Sequence, residues 1–156
     1  YYLSFASKHN KYIPKLILAG RKLNDNMAIY YAKKSLNLLK QNKKSLSKSR
    51  VLILGFTFKE NCSDIRNTQV IKIFDYYKKY SKKVEIYDPL IQITKEIKNR
   101  INIVKKPKLK HYNIVLVLVP HKKILSLSSK YINKITKSKN IIFDLKNAFK
   151  RNYFSL

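Results

Sequence analysis

Apolar positions along this chain follow two rhythms. From Pro14 to Gln41, Leu16, Ile17, Met27, Tyr30, Tyr31, Leu36 and Leu39 recur at loosely helical spacing, and residues 1–42 read as helical. Pro14 suits a first helical turn. Gly20 interrupts the pattern; mid-helix it costs about 1 kcal/mol against Ala, and a glycine kept there permits close packing by another backbone. Arg21, Asn24 and Asp25 follow within about one turn and can share a face. The plain alternative is a solvated polar face.

From Val51 onward the rhythm changes. Short apolar runs at 51–56, 84–88, 101–104, 114–119 and 141–145 alternate with amphipathic segments at 67–80, 91–99 and 122–137. Asn67 or Thr68 can cap the first of these helices. Continuous apolar strands alternating with amphipathic helices imply a parallel sheet covered on both faces. The expected fold is therefore α/β, a Rossmann-like parallel sheet of about five strands with flanking helices, preceded by a long N-terminal helix. Right-handed crossovers favour the strand order 3-2-1-4-5. Residues 1–44 read as the end of a helical domain, the Ser/Lys-rich residues 45–50 as a linker, and 51–156 as the α/β domain.

Composition adds a charge problem. The chain has 156 residues, with 35 lysines and arginines against 8 acids and a net charge of +27. Such a field attracts nucleic acid, anionic membrane or anionic metabolites without specificity. Abundant Lys, Asn, Ile, Tyr and Phe with 2 glycines also look like an AT-rich coding bias, which leaves the shortage of Asp and Glu unexplained. The basic residues are spread along the chain, and no stacking-aromatic or recognition-helix motif accompanies them. One cysteine, Cys62, excludes an internal disulfide and a Cys-based zinc site, and fits a reducing, cytoplasmic compartment. No metal-ligand spacing, signal peptide or membrane-length apolar run is present. The chain opens mid-pattern at Tyr1-Tyr2-Leu3, as part of something longer.

Chemistry collects around residues 51–69. An apolar run meets Gly55, a polar loop carries Lys59 and Arg66, and a helix follows. A glycine turn, a helix start and two cations suit a nucleotide's phosphates. With one glycine there is no G-x-G-x-x-G and no Walker A pattern, so an ordinary βα unit with a solvated loop stays open. In a parallel sheet, ligands bind beyond the carboxyl ends of the strands. Those ends deliver Lys59, Asp88, His121 and Lys146 to one edge, with Arg66 near. Of the 8 acids, Glu60, Asp64, Asp88 and Asp144 lie there too. Plainer roles exist for each: Lys59 as a solvated loop lysine, Arg66 paired with Asp64 or Glu60, Asp88 capping a loop, His121 structural or substrate-orienting. Cys62 has no partnering base and reads as incidental.

Several segments together resemble one family. They are Tyr1-Tyr2-Leu3, Leu18-Ala19-Gly20-Arg21-Lys22-Leu23-Asn24-Asp25-Asn26-Met27, Leu54-Gly55-Phe56-Thr57-Phe58-Lys59 through Asn67, Tyr87-Asp88-Pro89, Val119-Pro120-His121 and Asp144-Leu145-Lys146. In this order they resemble the NAD-dependent UDP-sugar 6-dehydrogenases, grouped with the UDP-glucose and GDP-mannose dehydrogenases. The branch is the one that oxidises UDP-N-acetylhexosamines (GlcNAc, ManNAc or GalNAc) to uronic acids for surface polysaccharide. The resemblance implies the end of a central dimerising helical domain followed by the UDP-binding domain. By it, Lys59 contacts the UDP-sugar, Arg21 and Asn24 line the sugar pocket or dimer face, and Arg66 reaches toward NAD. Two phosphates need cations, which Lys59 and Arg66 supply.

The family's catalytic cysteine, a following aspartate and its NAD domain precede the segment that begins here at Tyr1. The resemblance therefore implies a chain that by itself carries no catalytic residue, does not bind NAD, and acts as a homodimer or docks to the missing NAD-domain portion. Asn147 stands where the family usually has Gly. Two other classes remain: a basic nucleic-acid-binding module, and a non-catalytic partner subunit.

Overall fold

In the computed structural model the described residues are 5–7, 12–41, 45, 47–81, 83–150 and 153–154. Tyr1 to Leu3 fall outside them. The elements run α1 (Lys15–Gln41), β1 (Val51–Leu54), α2 (Val70–Lys78), β2 (Val84–Tyr87), α3 (Lys95–Arg100), β3 (Tyr112–Val117), α4 (Lys122–Leu125), α5 (Ser128–Ile135) and β4 (Thr136–Asp144).

The four strands form one parallel sheet in the order β2-β1-β3-β4. The apolar run at 101–104 contributes a single bridge, Ile103 to Ile86, on the outer side of β2. It stands where a further strand was expected, so the order 3-2-1-4-5 holds with its third member shortened. On the opposite margin Phe154 bridges Phe143 and covers the edge of β4.

Strict alternation divides the strand side chains between two cores. Val51, Ile53, Ile114, Leu116, Ile141 and Phe143 face α1 and α2, where they meet Ala28, Ala32, Leu36, Phe74 and Tyr77. Leu52, Leu54, Val115, Val117 and Ile142 face Ile124, Ile132 and Ile135 of α4 and α5. Both faces of β1 are buried along its whole length, which is why its sequence is unbroken apolar rather than alternating. Each such side chain contributes roughly 1.5–3 kcal/mol of transfer free energy.

The helix expected over 122–137 is divided. Ser128, the first residue of α5, adopts a left-handed backbone (φ 58°) that sets α5 apart from α4. From Thr136 the chain is strand, pairing with Tyr112, and a register shift lets the polar residues 137–140 bulge before Ile141 pairs with Ile114. Gly20 is exposed, and among the described residues nothing lies within 4 Å of a Cβ built there, so no described backbone packs on it.

Candidate functional site

The carboxyl ends of the strands open into a cavity of about 890 Å³. Its floor comes from the chain just beyond β1 (Thr57, Phe58, Lys59), β3 (Leu118, Val119) and β4 (Leu145, Lys146). The first turn of α2 forms one wall and α1 the other. Ile17, Arg21, Asn24, Ala28 and Tyr31 all line it, at spacings of 4, 3, 4 and 3 residues, which is one stripe of a helix. Arg21 and Asn24 thus share a face, as their spacing requires, and that face is turned to Lys59 and Lys146.

Gly55 makes the floor possible. It has φ +84°, and a Cβ there would overlap the Val119 carbonyl oxygen and lie 2.6 Å from the Val119 Cβ. Only glycine lets the chain leave β1 across this neighbour. Thr68 then closes the loop: its hydroxyl donates to the Phe56 carbonyl at 2.6 Å and accepts from Val70 N–H at 3.2 Å. This caps the start of α2, whose positive dipole end lies at the cavity wall.

The cavity is cationic but partly compensated. Asp25 lies 3.9 Å from Arg21 and 3.8 Å from Lys72. Lys146 pairs with Glu60. Lys59, exposed, makes no ion pair among the described residues and is the cation most available to an anion. Gln69 Oε1, on a lining residue, is buried without a hydrogen-bond partner. Sequence reasoning missed Thr57, Phe58, Tyr31 and Gln69. Thr57, Phe58 and Gln69 carried a signal through their place in the 51–69 stretch, and Tyr31 through its helical spacing from Asn24.

The other predicted residues lie elsewhere. Arg66 is outside the lining, with its side chain 85% exposed. Asp64 grips its Nε and Nη2 at 2.8–3.2 Å. The hydrogen bond from that guanidinium holds the Asp64 carboxyl down at about 2. Asp88 and His121 do not face the cavity: their side chains are fully buried beneath it, 3.0 Å apart. Asp88 Oδ2 accepts from the backbone N–H of Phe56 at 2.6 Å and of Thr57 at 3.1 Å. The pocket drawn from strand ends therefore keeps Lys59 and Lys146 and loses Asp88 and His121, because the loop after Gly55 folds back over them. Cys62, half-buried, accepts from Asp64 N–H at 3.4 Å and is not a lining residue.

A second cavity of about 880 Å³ lies at the opposite edge of the sheet, lined by Leu109, Asn133, Thr136, Ser138 and three lysines, Lys110, Lys134 and Lys137. In so basic a chain lysines alone do not mark a site. What distinguishes the first cavity is its position at the carboxyl ends, beside a helix start and a glycine turn. Among the described residues, no group of three or more His, Cys, Asp or Glu is placed to hold a metal ion, and no helix is long and apolar enough to cross a membrane.

The chain is 40% identical over 148 residues to a UDP-N-acetyl-D-glucosamine 6-dehydrogenase of Salmonella typhi, covering 94% of this chain and 35% of that one. It is 36% identical over 149 residues to Protein CapL of Staphylococcus aureus, covering 94% and 34%. It superposes on the UDP-N-acetyl-mannosamine dehydrogenase Cap5O of Staphylococcus aureus with a TM-score of 0.70 and 26% identity, over 99% of this chain and 35% of that one. The chain thus spans about a third of the length of the relatives it matches. Residues 52–151 match the UDP binding domain of the UDP-glucose/GDP-mannose dehydrogenase family, and the chain belongs to that family.

Proposed function

We propose that this chain is the UDP-sugar-binding part of an NAD-dependent UDP-N-acetylhexosamine 6-dehydrogenase, a cytoplasmic enzyme that makes a UDP-uronic acid for surface polysaccharide. Residues 1–44 form the end of its central helical domain, 45–50 a linker and 51–156 the UDP-binding domain. The observation that carries this reading is the cavity in which Arg21 and Asn24 of α1, Lys59 beyond β1 and Lys146 beyond β4 converge from three separate segments. Lys59 and the α2 dipole take the diphosphate. Arg21 and Asn24, on the facing helix, take the sugar, and Tyr31 and Phe58 offer apolar surface to it.

NAD supplies the hydride acceptor in this chemistry. Arg66 fits an edge contact with it: Asp64 occupies one side of the guanidinium and fixes its direction, and the rest projects into solvent. In this reading NAD and the oxidised sugar carbon are served by other parts of the enzyme, and the part described here holds the UDP-sugar.

α1 also supports a homodimer. Leu16, Gly20, Leu23, Met27 and Tyr30 follow one another at spacings of 4, 3, 4 and 3 residues, and Leu16, Leu23 and Tyr30 are 87%, 67% and 53% exposed. Gly20 and Met27 of this stripe also line the cavity, so it borders the ligand site, and its exposed Leu16, Leu23 and Tyr30 suit a second copy or the remainder of the enzyme.

Calorimetric titration with UDP tests the binding role. UDP binds and uridine does so far more weakly. Lys59→Ala weakens UDP by about tenfold or more. Failure of millimolar UDP to bind the unaltered chain overturns the reading.

A further inference from the structure

We infer that His121, together with Asp88, is a positioning residue: the two form a buried clamp that fixes the loop carrying Lys59. The role in ligand binding rests on the UDP reading above; the clamp itself does not.

The loop from Phe56 to Asn61 has little else to hold it. Phe58, Lys59 and Asn61 are exposed and Glu60 half-buried, so no apolar side chain anchors its tip. Three ties come from its own surroundings: the Thr68 hydroxyl donates to the Phe56 carbonyl at 2.6 Å, Phe58 N–H donates to the Asp64 carbonyl at 2.7 Å, and Glu60 pairs with Lys146 at the surface. The remaining ties come from the ends of β2 and β3. Asp88 Oδ2 receives the N–H groups of Phe56 and Thr57, while its Oδ1 receives Leu90 N–H at 2.8 Å. His121 Nδ1 lies 2.8 Å from Asn61 N–H and must accept from it. The ring proton is therefore on Nε2, which lies 3.0 Å from Asp88 Oδ2 and 3.1 Å from Thr57 Oγ1. The Thr57 hydroxyl donates onward to the Lys59 carbonyl at 3.2 Å. Asn61, in a left-handed backbone (φ 56°), accepts Lys122 N–H on its Oδ1 at 2.9 Å.

Lys59 is thus bracketed. Thr57 on one side and Asn61 on the other are both bonded to a single imidazole, which Asp88 orients. The clamp is dry, with both side chains at 0% exposure, so broken bonds are not replaced by water. The pair looks like an acid–base dyad, yet its atoms are consumed by the backbone of the loop.

Cys62, the chain's one cysteine, lies three residues past Lys59 and reports on the loop without any ligand. Its labelling rate with an aromatic disulfide reagent and the UDP affinity are measured for the unaltered chain, His121→Leu and His121→Asn, each with and without Lys59→Ala. His121→Leu speeds labelling by roughly tenfold and weakens UDP by a similar factor. His121→Asn, whose amide oxygen can still accept from Asn61, restores both to within about threefold. With Lys59→Ala present, His121→Leu weakens UDP no further, because it acts through that lysine. Unchanged labelling in His121→Leu overturns the clamp, and so does an undiminished loss of affinity on the Lys59→Ala background. If His121→Leu fails to fold, Thr57→Val removes the shared hydroxyl at similar volume and is read in the same way. Should the unaltered chain not bind UDP, the functional reading fails while the labelling rates still decide the clamp.

Discussion

The hydroxyl oxygens of Ser35 and Tyr77 lie 2.7 Å apart in the buried seam between α1 and α2. Ser35 Oγ also lies 2.8 Å from the Tyr31 carbonyl, to which it donates, so the Tyr77 hydroxyl donates to Ser35. This bond, with Ala28, Ala32 and Leu36, fixes α1 against the sheet and so sets the cavity wall. Burial pushes the Tyr77 phenol up to about 12. The unfolded chain ionises first, near pH 10, so the seam loses stability as pH rises from there toward the folded value. Tyr77→Phe is expected to cost about 0.5–1.5 kcal/mol at neutral pH in urea unfolding, and to flatten part of the alkaline loss. A larger neutral cost than Tyr77→Ala would contradict this account.

His111 sets the acid side. Its imidazole is partly buried, and burial first, then the Arg50 guanidinium 3.2 Å away, pulls its pKa below the ordinary value of 6.5. Lys108 and Lys137 push the same way, while Glu85 opposes them. A base with a lowered folded pKa is protonated first in the unfolded chain. Its contribution to stability is therefore whole above about pH 6.5 and drains away as pH falls below it. His111→Gln should make thermal melting less steep in pH between about 6.5 and 5. An unchanged slope would assign the acid loss to other groups.

Asn147 adopts a left-handed backbone (φ 49°), with its N–H donating to the Asp144 carbonyl at 3.2 Å. The turn demands this conformation, which Asn tolerates best among residues with a Cβ. Asn147→Gly relieves the strain and is expected to change stability by no more than about 1 kcal/mol, in the stabilising direction. Asn147→Val should destabilise by more than that, since a β-branched side chain there is forced against its own carbonyl. Chemical denaturation of the three proteins gives the ranking.

The sheet was legible because its strands are buried on both faces: Val51–Leu54 and Ile114–Val117 are apolar at every position, and no helix of this length needs that. Helical spacing put Arg21 and Asn24 on one face, while their place in a pocket came from the resemblance alone. Three things were not legible. The break at Ser128 has no composition signal, since serine is as common inside helices as at such corners. The shortness of the strand at Ile103 follows from its place at the sheet margin, which a run of apolar residues does not record. The inward turn of Asp88 and His121 depends on Gly55 sending the loop back over them, a relation among three strands. Arg66 was half legible: Asp64 two residues earlier was a visible rival for its guanidinium, and it takes it at 2.8 Å.

The exposed stripe of α1, whose Gly20 and Met27 also line the cavity, gives a prediction whose sign decides between two states. A glycine in an exposed helix interior costs about 1 kcal/mol relative to alanine, so in an isolated monomer Gly20→Ala must stabilise. Among the described residues nothing lies within 4 Å of the added methyl, so none of them opposes it sterically. If a second copy packs its helix across Gly20, as the homodimer reading requires, the same methyl enters the interface and weakens association. Sedimentation equilibrium should then show the unaltered chain dimeric at micromolar concentration, Gly20→Ala shifted toward monomer, and Leu23→Glu monomeric. Melting temperature should rise with protein concentration for the unaltered chain alone. Leu23 is 67% exposed, so its loss leaves the monomer core intact and the charge acts only across the interface. A monomeric unaltered chain that Gly20→Ala simply stabilises would show this stripe to be solvated in the chain by itself. The homodimer would then be discarded for these 156 residues.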